Sequence, residues 1–355
     1  VADRYHIYYA DKKYYEKMFP KLSKVSSFVS TDVADTIEWA LPSLMKVFTG
    51  GDDIVTISGV TPDEEPKAEV MQELVKYQLQ RQNNSFPIIY NWMKDALITG
   101  LGLVKCYWQR QTGYNQETAQ LNKMALASLQ QTGVTIDNVQ GPDAFGDYTV
   151  TYESPYYIKN APKIENILIN EFLYSPDAKS LKDANFVAHK KTVNMSYLRL
   201  MEQQGIYSNI DKVHPNNFNQ SYLTDPIQQV VGDDYYGVAG KNDEARQEVV
   251  IYECYTKFDI NGDGILEDII VTLCDKTIIR LEPNYMGRHP FFDLSPMKDP
   301  HRIWAKKSYA EMIGEIQHIK VAIERQIIQN MALTNDPKMI IDPSGINIDD
   351  YVNGR

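Results

Sequence analysis

The sequence predicts an α+β fold, because the pattern of side chains changes twice along the chain. The first 99 residues place apolar side chains at helical spacing, as at Val33, Ile37 and Leu41. From about Thr149 to Cys274 the segments are rich in β-branched and aromatic residues, which is typical of strands. From about 305 to 333 there is no proline and only one glycine, which predicts a single helix of about 40 Å.

Three helices are predicted in the N-terminal part. Thr31 precedes the first, in which Pro42 should kink the helix or split it. A capping box at Thr61–Glu64 opens the second, which runs to about 82. The third starts near Ser85 and ends at the glycines of the Gly100-Leu-Gly102 sequence, which release a strand at 103–108.

The middle of the chain is predicted to consist of strands and turns. A Gln-, Ala- and Leu-rich segment from Tyr114 to Gln131 predicts a surface helix, and a short helix is expected from Met195 to Gln203. Residues 205–245 have the composition of a long irregular loop. The predicted strands are 149–153, 164–169, 186–193, 248–258 and 267–274, and a further strand at 338–341 and a turn at 343–345 follow the long helix.

The charge distribution argues against a protein that binds DNA with its whole surface. The net charge is -11, yet residues 298–338 carry +2. If the long helix packs beside copies of itself around a hole, its apolar stripe would seal the wall and its basic residues would meet DNA without reading bases. Ordinary solvated or intersubunit ion pairs remain the alternative. The candidate DNA contacts are Lys306, Lys307, Lys320 and Arg325.

Enzyme and membrane classes are disfavoured by the motifs. Gly240-Lys241 is not a phosphate loop, because Tyr235 stands at the position of the first glycine. Neither GxSxG nor HExxH occurs, so no catalytic residue is predicted. No apolar run is long enough to span a bilayer.

An Asp-rich segment, 259–268, admits two interpretations. Asp259, Asn261, Asp263 and Glu267 offer oxygen ligands in the pattern that begins a calcium loop, so Ca²⁺ is a candidate cofactor. The pattern then fails, because Ile270 occupies the twelfth position and strand-like sequence flanks the segment. The alternative is a plain β-hairpin turn, for which Asn-Gly and Asp-Gly are suited.

Several segments, in order along the chain, resemble portal proteins of short-tailed, P22-like bacteriophages. Two of them are the run from Thr31 to Met45 and the run from Asn91 to Leu97 with the following Gly-x-Gly-x-Val-Lys. The others are the run from Asp177 to His189, the Asp-rich hairpin, and the run from Leu333 to Pro337. Together the matches extend from about residue 30 to residue 340.

The resemblance implies a portal-protein fold and a structural role. Residues 1–297 would form a mixed α/β wing, helical to about 99 and strand-rich from 100 to 297. Residues 298–335 would form a stem helix, and 336–355 the start of a clip. The family also has a returning stem helix, a channel-side helix and a C-terminal crown, so the resemblance predicts that this chain is a fragment without its C-terminal part.

The implied function is that of a head-to-tail connector at one capsid vertex, through which DNA is packaged and ejected. The implied partners are copies of the chain in a dodecameric ring, the terminase large subunit, tail adaptors, major capsid and scaffolding proteins, and double-stranded DNA bound without sequence preference. The subunit would reside in the virion, and in the host cytoplasm during assembly. A calcium-dependent binding module built on the Asp-rich hairpin is the competing hypothesis.

Overall fold

A computed structural model describes residues 2–24, 26–51, 54–131, 134–142, 146–213, 244–299, 301, 303 and 307–335. The helices of this part of the chain are α1 (Ala2–Tyr8), α2 (Lys12–Met18), α3 (Asp32–Thr49), α4 (Glu65–Tyr77), α5 (Ser85–Thr99), α6 (Lys123–Gln131), α7 (Met195–Gln203) and α8 (Tyr309–Asn335). The strands are β1 (Gly102–Leu121), β2 (Ile136–Gln140), β3 (Tyr148–Ile167), β4 (Phe172–Tyr174), β5 (Phe186–Asn194), β6 (Glu248–Phe258), β7 (Glu267–Cys274), β8 (Thr277–Pro283) and β9 (Phe291–Leu294). The α+β prediction is confirmed.

The N-terminal helices agree with the predicted pattern, with two differences in detail. Helix α3 passes through Pro42 as one helix, so the expected split does not occur. The capping box at Thr61 does not form, because Thr61 makes no side-chain cap bond and a 3₁₀ turn at Pro62–Glu64 precedes α4. The Glu64 carboxylate instead accepts a hydrogen bond from the Val60 amide at 3.2 Å.

The two glycines that follow α5 have separate structural roles. Gly100 has a φ of 85°, and its amide donates to the Ala96 carbonyl, so it terminates the helix in the left-handed conformation. Gly102 lies against α5, since a Cβ at this position would come within 2.3 Å of the Trp92 carbonyl oxygen. The pair therefore turns the chain sharply from α5 into β1 and keeps helix and strand in close contact.

The first sheet has the strand order β2-β3-β1-β9 and is dominated by an antiparallel ribbon of β1 and β3. Each of these strands has 20 residues, which corresponds to about 65 Å. The predicted helix from Tyr114 to Gln131 is wrong in its first half, because the backbone pairs with β3, as at Tyr114↔Pro155 and Leu121↔Tyr148. Only α6 is helical in this segment.

The second sheet has the strand order β4-β5-β6-β7-β8, with antiparallel pairing throughout. Its central strands β5, β6 and β7 match the predicted ones, and α7 has the predicted bounds. A small core lies between α7 and this sheet and includes Leu198, Val249 and Ile279. A larger core joins helices α1, α3, α5 and α8 to both sheets.

A buried ion pair connects the two sheets. Lys105 on β1 and Glu253 on β6 lie 2.5 Å apart (Nζ to Oε2), and their side chains are 5% and 23% exposed. The Tyr255 hydroxyl donates to the other Glu253 oxygen at 2.6 Å. Burial alone would raise the pKa of Glu253, but the Lys105 charge and these hydrogen bonds hold it below its usual range.

Candidate functional site

The long helix α8 has a well-defined start. The Glu311 amide donates to the Ser308 hydroxyl and the Ser308 amide donates to the Glu311 carboxylate, each at 3.2 Å. This reciprocal pair is a capping box, which satisfies amides that the first helical turn would leave unpaired. Arg4 of α1 also binds Glu311 at 2.6 Å, so the cap is tied to the N-terminal helix. The helix runs continuously through Gly314 to Asn335, as predicted, although it begins later than residue 305.

The face of α8 that packs on the subunit consists mainly of small or polar residues. Its buried residues recur every three or four positions and are Ala310, Gly314, Gln317, Val321 and Arg325. Gln317 is fully buried, and its amide nitrogen donates to the Ile7 carbonyl at 3.0 Å and the Tyr15 hydroxyl at 2.9 Å. Its amide oxygen accepts from the Val33 amide at 2.9 Å, so one side chain joins α8 to α1, α2 and α3.

Gly314 allows α8 to approach α1 closely. A Cβ at this position would lie 3.3 Å from two carbon atoms of Ile7, which is tighter than ordinary van der Waals contact. Glycine in mid-helix is destabilising by roughly 1 kcal/mol relative to alanine. Here the close packing on α1 compensates for that loss, and the helix is not broken.

The opposite face of α8 is apolar and exposed. Ile316 and Ile319 are each 62% exposed, and Ile323 and Ile327 about half exposed. Met312 and Met331 extend the same stripe toward the two ends of the helix. This is the predicted isoleucine-rich stripe, and the described part of the subunit leaves it exposed. An apolar stripe of this length on a solvent-facing helix is typical of an interaction surface.

The C-terminal end of α8 projects from the subunit. Arg325 is its last buried residue, and none of residues 326–335 is buried. Ten residues of helix correspond to about 15 Å. This end of α8 therefore projects from the part of the subunit that the structure describes.

The structure separates the candidate DNA contacts. Lys307 is exposed, and Lys320 is about half exposed while pairing with Asp32 at 2.8 Å. Arg325 points the other way: its guanidinium is fully buried and donates to the Phe28 carbonyl at 2.8 Å and the Ser23 hydroxyl at 2.7 Å. In this conformation Arg325 is not available to DNA. Lys306 lies outside the described residues.

The Asp-rich segment forms the predicted hairpin turn between β6 and β7. One carboxylate oxygen of each of Asp259, Asp263 and Glu267 lies within 4.8 Å of the others. Backbone amides already bind these groups: Asp259 accepts from Gly262 at 2.6 Å and from Gly264 at 2.8 Å. Asn261 accepts from the Asp263 amide at 3.1 Å, so its oxygen also stabilises the turn.

This geometry fits either interpretation of the segment. The clustered oxygens are of the type that Ca²⁺ binds, but the amide donors provide the same carboxylates with partners inside the turn. The helix–loop–helix surroundings of a calcium loop are absent here, since strands flank the segment on both sides. The flanking strands therefore favour a plain hairpin turn over a helix–loop–helix calcium site.

Two features of the site were not found by inspection of the sequence. One is the polar anchor on the inner face of α8, because Gln317 and Arg325 read as surface residues on a helix. The other is the group of exposed lysines in α2 and the turn after it. Among the described residues, no helix is both long and apolar enough to cross a membrane.

Among the described residues, this mixed α+β subunit presents an exposed apolar face on its longest helix, which is typical of proteins that assemble with other subunits. A family model described as phage SU10 portal protein matches residues 3–355. The chain belongs to this family of phage portal proteins, which are structural components of the phage particle rather than enzymes.

Proposed function

We propose that the protein is the portal subunit of a tailed phage, and that copies of it form a ring at one capsid vertex through which DNA is packaged and ejected. In this proposal the protein functions like the portals of short-tailed, P22-like phages, which its sequence resembles. The ring would be dodecameric. It would dock the terminase large subunit and later the tail adaptors, and it would contact major capsid and scaffolding proteins.

The outward isoleucine face of α8 is the observation that carries the proposal. A subunit that functioned alone would turn this face inward, and here Gln317 and Arg325 occupy the inner face instead. Burying the exposed part of each isoleucine against a neighbour would contribute about 1 kcal/mol per side chain. A closed ring lets every copy cover the face of the next, which leaves no apolar stripe in water.

The domain arrangement follows from the same proposal. Residues 1–297 would be the wing, the segment 298–335 with α8 would be the stem, and 336–355 would begin the clip. Within the stem, Lys307 and Lys320 are the described candidates for loose contact with DNA phosphates, and Lys306 is a further candidate from the sequence. Contacts of this kind are salt-dependent and carry no sequence information, which suits a conduit.

The proposal is tested by removing the apolar face without disturbing the subunit. Ile316, Ile319, Ile323 and Ile327 are changed together to Gln, and mass photometry and negative-stain imaging report the oligomeric state. We expect the parent to form rings and the variant to remain a folded monomer. The matched control changes four exposed apolar residues of the five-stranded sheet and its turn to Gln, namely Ile260, Ile265, Leu266 and Ile278.

The control variant should assemble like the parent. If the parent stays monomeric at concentrations where subunits meet freely, or if the α8 variant assembles normally, the assignment of α8 as the ring contact is wrong.

A further inference from the structure

Helix α2 and the turn after it carry a dense group of lysines. Residues 12–24 contain Lys12, Lys13, Lys17, Lys21 and Lys24, with Glu16 as the one acidic residue. The segment thus carries +4 in a chain whose net charge is -11. We refer to these five lysines as the α2 lysine group.

The structure presents the group to solvent. Tyr15 is fully buried and stacks edge-on against His318 of α8 at 5.4 Å between ring centroids, which fixes the inner face of α2. Lys13 and Lys17 are four residues apart on the opposite side of the helix. All five lysines are exposed. Among the described residues no carboxylate lies within 4.0 Å of Lys12, Lys17, Lys21 or Lys24.

A buried cation strengthens the positive potential at this place. Arg325 of α8 donates to Ser23, the neighbour of Lys24, and to Phe28, both of which are neutral partners. Its Nη2 atom is buried without a hydrogen-bond partner among the described residues, and Glu16 of α2 is a carboxylate whose charge acts on the guanidinium from beyond 4.0 Å. Because a buried charge is weakly screened, Arg325 favours an anion near the α2 lysine group.

Helix α4 of a second copy is a poor counterpart for this group, and the carboxylates of the Asp-rich hairpin already accept hydrogen bonds within their own turn. The exposed helix α4 has Glu65, Glu69 and Glu73, but Lys67 and Lys76 are interleaved with them, so its net charge is only -1. Duplex DNA carries one negative charge per about 1.7 Å of its axis, which is far denser. Lysines on a helix and a turn also act as flexible point charges, which match phosphates without a fixed geometry.

The position of the group favours DNA as well. Ser23 and Phe28 hold α8 at Arg325, the point where the helix leaves the subunit and begins its projecting end. We propose that the α2 lysine group is a contact surface for the phosphate backbone of double-stranded DNA, separate from the lysines of α8. This inference rests on the proposed portal function, in which DNA passes close to the projecting end of α8.

The test is a salt titration of DNA binding. The purified chain is mixed with a short fluorescent duplex of mixed sequence, and anisotropy gives the dissociation constant at several salt concentrations. In the test variant Lys12, Lys17, Lys21 and Lys24 are changed to Gln. The matched control changes four exposed lysines from other parts of the chain to Gln, namely Lys67, Lys123, Lys182 and Lys276. The two variants have the same net charge.

The test variant should bind more than about tenfold less tightly than the parent at low salt, and its salt slope should fall by about one for each lysine removed. The control should remain within about twofold to threefold of the parent. A double variant, Lys17→Gln with Lys21→Gln, should give about half the change in slope, which guards against a folding defect in the larger variant.

Three results would overturn the inference. They are a parent that does not bind duplex DNA at low salt, equal losses in the test and control variants, and a test variant whose oligomeric state changes while its DNA affinity does not. The last result would assign the group to contact between copies. Because mass photometry on the same samples reports ring formation independently, normal rings with unchanged DNA binding would refute this inference and leave the portal assignment intact.

Discussion

The side-chain amide of Gln317 donates a hydrogen bond to the hydroxyl of Tyr15 over 2.9 Å, deep between α8 and α2. Tyr15 is itself fully buried and makes the inner face of α2. Polar contact thus fixes the long helix on the subunit, while its isoleucines remain outside. This arrangement reverses the usual amphipathic pattern.

The first prediction concerns the polar anchor. Gln317→Leu should lower the free energy of unfolding by about 2–4 kcal/mol, because the Val33 amide, the Ile7 carbonyl and the Tyr15 hydroxyl lose their partner while buried. Thermal or urea unfolding measures the change. Gln326→Leu, an exposed position on the same helix, serves as the control and should stay within about 0.5 kcal/mol of the parent. Equal effects at the two positions would contradict the anchor role.

The second prediction concerns the ion pair between the sheets. Lys105→Met should destabilise the protein by about 3 kcal/mol, since it leaves the buried Glu253 carboxylate without its cation. The double variant Lys105→Met with Glu253→Gln should recover most of this loss. Lys163→Met provides the comparison, because Lys163 is 40% exposed, pairs with Glu165 at the longer distance of 3.3 Å and should contribute under about 1 kcal/mol.

The same pair predicts a loss of stability in acid. The pKa of Glu253 in the folded protein lies below its unfolded value of about 4.3, so its contribution is present above that pH. The contribution disappears as the pH falls through the folded pKa. Urea unfolding of the parent and of Glu253→Gln across this range should show the difference between them shrinking toward acid; a constant difference would argue against the assigned charge state.

The third prediction concerns Asp95, whose ionisation lowers stability as the pH rises. Burial raises the pKa of Asp95 to about 6, although the Tyr5 hydroxyl donates to it at 3.4 Å. Its unfolded pKa is about 3.9, so stability is lost as the pH rises from about 4 to about 6. Asp95→Asn should therefore stabilise the protein at neutral pH by about 2 kcal/mol and have little effect at pH of about 4. Asp63→Asn, at an exposed position, should show neither effect.

The fourth prediction concerns metal removal at the hairpin. Since backbone amides already bind Asp259 and Glu267, EDTA and added Ca²⁺ should leave the melting temperature of the parent unchanged. Asp259→Asn with Asp263→Asn should cost about 1 kcal/mol or less, because Asn oxygens can still accept these bonds. Differential scanning calorimetry with and without Ca²⁺ measures both. A calcium-induced rise in melting temperature that the double variant lacks would establish a cation site.

Local patterns predicted most of the regular elements. Strands β5 to β7 and helix α7 have strong periodicity and clear boundaries, so they were found from the sequence. The helix predicted from Tyr114 failed because this part of β1 is held by β3 residues more than 25 positions away, as in the pairing of Leu121 with Tyr148. Helix propensity has little weight against such pairing, and residues 114–118 of β1 are all exposed, so no alternation of buried and exposed residues marks them as a strand.

The site was predicted only in part, for a related reason. Periodicity located the isoleucine stripe of α8, but it cannot tell whether a stripe faces the same subunit or another copy. The inner face of α8 could not be predicted, because Gly314 and Gln317 do not contribute to an apolar pattern. Their role depends on contacts with Ile7 and Tyr15, some 300 residues earlier in the chain. The charge of Arg325 alone suggests a DNA contact. In the structure its side chain is buried and binds Phe28 and Ser23.

The two sides of α8 should also be under different selection during the evolution of the protein. Under the proposed function, substitutions on the Gln317 side would change whether a subunit folds, and those on the Ile316 side would change whether folded subunits assemble. A library of α8 variants screened for soluble yield would tolerate the isoleucine positions, and the same library screened for infectious particles would not. In the proposed ring, folding and assembly therefore depend on different positions of one helix. Substitutions could change the contact between subunits without unfolding the subunit.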